Sequence, residues 1–129
     1  MPPQLGQELY SRYASSFIDS EYKTKLSKCV ELVQNYNQDC HVFLMTPIAP
    51  THKKICYMTE VFYKHYQLVH QVADCYSGVK VADIYTPLKV CSSGEVYQAD
   101  GTHLTDKGQK VVAEAIIKNL ETVIKKGLK

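Results

Sequence analysis

Asp100 and His103 stand three residues apart in the run Asp100-Gly101-Thr102-His103-Leu104-Thr105-Asp106-Lys107-Gly108, and they are the residues of this chain best suited to chemistry. An imidazole works as a general base when its tautomer and ring orientation are fixed. A carboxylate accepting from one ring N–H fixes both, so that the second nitrogen moves the proton. A three-residue loop spacing lets the two side chains meet. The same residues also suit an ordinary polar loop at the start of a helix, and spacing alone does not separate the two readings.

Other polar residues rank below the pair. His52 falls on the loop after a predicted strand, the side on which open α/β sheets bind ligands, although an exposed loop histidine explains it as well. His65 and His70 are five residues apart rather than the i, i+4 of helical metal ligands, so they read as surface or rim positions. Asp83, near the end of a predicted strand, reads as the cap of a turn at Thr86. The Asp-Ser of Phe17-Ile18-Asp19-Ser20 imitates a nucleophile motif, but no glycine precedes it and its surroundings are helical. A serine there could not occupy the sharp strand-to-helix turn that exposes an activated hydroxyl. Cys29, Cys40, Cys56, Cys75 and Cys91 are an odd set without Cys-x-x-Cys; they suggest neither a disulfide framework nor a zinc site. No cofactor and no metal is expected.

Three helices and two strands must position these groups. Ile18, Tyr22, Leu26, Cys29, Val30 and Val33 recur at helical intervals from about Ser16, and Asn35, Asn37 and Asp39 end the pattern. Residues 41–46 form an apolar run of strand length, expected to be buried on both faces. Pro47 and Pro50 stop it. A second helix is predicted from Lys54 to Tyr76, with Met58, Phe62, Tyr66, Val69, Val72, Ala73 and Tyr76 on one face, closed by Gly78. A strand over 79–84 follows, then a loop. Thr105 is the N-cap candidate of the last helix, predicted from Asp106 to about Lys125 and burying Val112, Ile116, Leu120, Val123 and Ile124. The ten tyrosines are expected at the margins of the core. Helix and strand in alternation give a parallel, doubly wound α/β unit with right-handed crossovers.

Taken with its helix, the Asp100 to Gly108 run resembles the last block of the SGNH (GDSL-type) esterase and lipase family, in which Asp-x-x-His supplies two members of a Ser-His-Asp triad. Val42-Phe43-Leu44-Met45 leading into Thr46-Pro47-Ile48-Ala49-Pro50, and Val79 to Leu88, look like that family's last two core strands with their loops. The resemblance covers nearly the whole chain, read as a single domain over residues 1–129. It implies a partial three-layer, flavodoxin-like fold with two parallel strands, the N-terminal strands missing. The family's Gly-Asp-Ser strand, its oxyanion-hole glycine block and its Gly-x-Asn-Asp block do not occur here, so the resemblance is to the C-terminal portion alone. It implies ester hydrolysis with His103 as base and Asp100 as its orienter, and no turnover by this chain by itself. The first surviving strand would have an open edge. A homodimer or an N-terminal fragment partner is expected there, and a non-catalytic binding module using that edge stays open as the other class of function.

Composition sets the remaining bounds. A hydrophobic fraction of 45% is ordinary for a globular domain. The formal charge of +2 points to neither nucleic acid nor membrane, and the basic end Lys125-Lys126-Gly127-Leu128-Lys129 reads as a solvated helix terminus. No apolar stretch approaches the roughly 18 residues of a membrane span. The N-terminus lacks the plan of a signal peptide. With reduced thiols as the default, a cytoplasmic location is expected, and the partner implied by the resemblance is a small ester.

Overall fold

The computed structural model describes residues 19–49, 59–100 and 103–127. Within them the chain runs α1 (Asp19–Tyr36), β1 (Val42–Met45), α2 (Thr59–Asp74), β2 (Val79–Ala82), α3 (Tyr85–Lys89), α4 (Ser93–Val96) and α5 (Asp106–Gly127). β1 and β2 pair in parallel, Val42 opposite Val79 and Met45 opposite Ala82. The fold is a mixed α/β arrangement with two parallel strands and three long helices, as the alternating pattern predicts. His52 and Cys56 lie outside the described residues, as do Phe17 and Ile18; Asp19 and Ser20 open α1.

Side chains alternate across a strand, and this divides the core. Val42, Leu44, Val79 and Val81 share a face with Val30 and Leu26 of α1 and Val72, Ala73 and Tyr76 around α2. The Tyr76 hydroxyl donates to Glu31 Oε1 at 2.8 Å and Gln34 Nε2 donates to Ser77 O at 3.1 Å, tying α1 to the end of α2. Gly78 then turns the chain into β2 with φ of 79°, a left-handed conformation that a Cβ would strain.

The second cluster lies beyond the carboxyl ends of the strands: Ala49, Tyr85, Leu88, Val96 and Tyr97, with Ile48, Tyr66, Leu104, Val111 and Val112 against it. Its keystone is Thr46. The residue is buried, its N–H donates to Ala82 O at 3.1 Å, and its hydroxyl oxygen accepts from Ile84 N–H at 2.9 Å and Tyr85 N–H at 3.0 Å. Ile84 has no capping side chain of its own. The first turn of α3 is therefore capped by the residue that follows β1, a neighbour in space and not in sequence.

Several expectations are corrected. The second strand ends at Ala82, because the chain turns into α3 at the Thr46 cap; Asp83 stands just past it, where the sequence pattern had it inside the strand. β1 is not buried on both faces, since Met45 is 55% exposed. On α1 only Val30 is buried, with Cys29 and Val33 exposed. On α5, Leu120 and Ile124 face solvent, while Val112, Ile116 and Val123 are half-buried. A two-stranded sheet covers only one stripe of so long a helix. Tyr85 and Tyr97 sit inside the core and not at its margin.

Candidate functional site

Asp100 and His103 occupy the tip of a short hairpin between α4 and α5. Its stem is an antiparallel bridge of Tyr97 with Leu104, closed by Gln98 N–H to His103 O at 2.8 Å and Thr105 N–H to Val96 O at 2.9 Å. The Gln98 side-chain amide adds a bond to Leu104 O at 3.0 Å. With two-residue alternation, Tyr97 and Leu104 turn together into the core while Gln98 and His103 turn outward. That is why a hairpin rooted in apolar packing presents an imidazole to solvent.

The carboxylate of Asp100 holds His103 twice. One oxygen accepts from the His103 backbone N–H at 3.0 Å, and the other meets ring Nδ1. Two contacts to one residue fix both the backbone turn and the ring, the arrangement that selects an Nδ1–H tautomer. The side chains are 76% and 46% exposed respectively for His103 and Asp100, so water reaches the pair. Surface depressions of about 480 and 530 Å³ run along α5, and neither is lined by Asp100 or His103.

Two anchors place the hairpin. The Tyr97 hydroxyl donates to Ala49 O at 2.5 Å, joining the hairpin to the loop after β1 and so to the carboxyl-end side of the sheet. Burial pushes the Tyr97 phenol up to about 12, so it remains a donor at any ordinary pH. At the other end Thr105 caps α5 by accepting from Gly108 N–H at 3.1 Å, as its sequence position predicts. Lys107 pairs with the Glu95 carboxylate across α4 and α5 and holds that carboxyl below its usual range, while Lys107 itself is raised. Gly108 is required by proximity: a Cβ there would stand 2.3 Å from Val96 O.

The remaining predicted residues fall elsewhere. Asp83 caps its turn, accepting from Thr86 N–H at 2.9 Å and from the Thr86 hydroxyl at 2.6 Å. His65 is half-buried and stacks on Tyr22 with ring centroids 4.9 Å apart. His70 packs edge-on to Tyr66, and its Nε2 is buried without a hydrogen-bond partner, which a rim position did not foresee. Sequence reasoning missed Thr46 and Tyr97, whose partners are 38 and 48 residues away along the chain. Among the described residues no group of three or more His, Cys, Asp or Glu is placed to hold a metal ion, and no helix is long and apolar enough to cross a membrane. Comparison with protein-family models, with curated proteins and with solved structures finds no match.

Proposed function

We propose that Asp100 and His103 are the orienter and the base of an ester-hydrolase site of the SGNH (GDSL) kind, and that this chain is the C-terminal segment of such an enzyme. The observation that carries the reading is the double hold of the Asp100 carboxylate on His103, at the backbone N–H (3.0 Å) and at Nδ1. The parallel strands, the Thr105 cap and the link from Tyr97 to the loop after β1 support it, because they set the pair on the side where α/β sheets bind ligands.

In that reading a serine hydroxyl attacks the ester carbonyl as His103 takes its proton. The imidazolium, held by Asp100, then returns the proton to the departing alkoxide. The chain has no Gly-Asp-Ser block to supply the hydroxyl and no oxyanion-hole blocks, each lost donor of which costs about 2.7–4 kcal/mol in dissected enzymes. An exposed pair gains nothing from a dry site either. A cytoplasmic setting accompanies the reading, supported by Cys29, Cys40, Cys75 and Cys91 being free thiols.

The test is hydrolysis of p-nitrophenyl acetate. The chain alone is expected to match its His103→Ala variant. Mixed with a separately expressed N-terminal portion of an SGNH hydrolase, it is expected to gain turnover that His103→Ala removes. Turnover that survives His103→Ala in the mixture would sink the reading.

A second reading, a binding module without catalysis, is favoured by the outer edge of β1. Thr46 N–H points to β2, so alternation turns the N–H and C=O groups of Phe43 and Met45 away from it. No described strand pairs there.

A further inference from the structure

Resting on the reading of Asp100 and His103 as orienter and base, we infer that Thr105 is the positioning residue of that pair, through a bond that helix capping does not require. Its hydroxyl accepts from Gly108 N–H at 3.1 Å, the ordinary N-cap interaction, and also donates its own proton to Glu95 O at 2.5 Å. A cap needs only the accepting lone pair. The donated bond fastens the start of α5 to α4.

Two neighbours reinforce that fastening. Thr105 N–H donates to Val96 O at 2.9 Å, and Lys107 pairs with the Glu95 carboxylate. Residues 95–96 are thus clamped to 105–107, and the segment between them, with Asp100 and His103 at its tip, has its ends held together. A loop closed at its base has less conformational freedom left to lose when the Asp100 carboxylate closes on His103. The clamp therefore raises the population of the closed pair without touching either side chain. Thr105 acts through His103 and meets no substrate.

Ring-nitrogen chemical shifts of His103, recorded on the full chain at alkaline pH where imidazoles are neutral, read the share of the Nδ1–H tautomer that Asp100 selects. Thr105→Ser keeps donor and acceptor and is expected to match the parent. Thr105→Asp still caps α5 but has no proton for Glu95 O. It is expected to keep the helical circular dichroism and to lower the Nδ1–H to Nε2–H ratio about five-fold. Thr105→Gly, a competent N-cap residue without a hydroxyl or a charge, carries the same expectation should Asp disturb α4. Parent-like ratios in both the Asp and Gly variants would make Thr105 a helix cap and nothing more, overturning the inference. The tautomer is read without turnover, so that outcome is distinct from failure of the mixed esterase assay.

Discussion

His65 shows how one side chain makes stability depend on pH. Burial beside Tyr22 and Phe62 lowers its pKa, and the opposing charge of Asp19 does not offset that. The unfolded chain then binds a proton more readily than the folded one. The contribution of His65 is complete above its unfolded pKa near 6.5 and is lost as pH falls through the lower folded value. Urea unfolding at roughly pH 7.5 and pH 5.5 is expected to show a drop that His65→Phe reduces, and equal drops in the two proteins would contradict it. At this scale the sequence was most legible where partners are close along the chain. Asp100 with His103, Asp83 with Thr86 and Thr105 with Gly108 are all three residues apart. Tyr97 was not legible, since nothing around Val96-Tyr97-Gln98 names Ala49 as the acceptor.

Among elements, the long helices announce themselves by repeated apolar spacing, whereas α3 and α4 are too short to carry a period. α3 exists because Tyr85 and Leu88 pack into the core and because Thr46 satisfies the N–H groups at its start. Thr46→Val preserves shape and removes both bonds. It is expected to cost about 2–3 kcal/mol in chemical denaturation, with Thr46→Ser close to the parent; a Val variant as stable as the parent would mean that α3 stands without its cap. The ends of α5 were equally readable, but the face it buries was not. How much of a helix is covered depends on the width of the sheet beneath it, and two strands leave Ile117, Leu120 and Ile124 in water.

The whole molecule exposes what a parallel sheet ordinarily hides. Among the described residues no strand pairs with the outer edge of β1, where Met45 is exposed, and sheets of two strands are marginal without further cover. Size-exclusion chromatography with light scattering is expected to find association that grows with concentration and that Met45→Lys, a charge on the edge, diminishes. A concentration-independent monomer would oppose that. The sequence predicted both strands and their parallel sense, because β1-α2-β2 permits little else. It could not set the solvent exposure of β1, which depends on what lies beside it in space.

The stem below Asp100 and His103 carries a consequence for how this region can vary. Tyr97 and Leu104 face inward and Gln98 and His103 outward because the bridge counts residues in twos. Length changes at the tip preserve that parity. One residue gained or lost within the stem inverts it, driving an imidazole into the space of Leu104 and leaving a leucine in water, so this hairpin forbids odd steps in its legs.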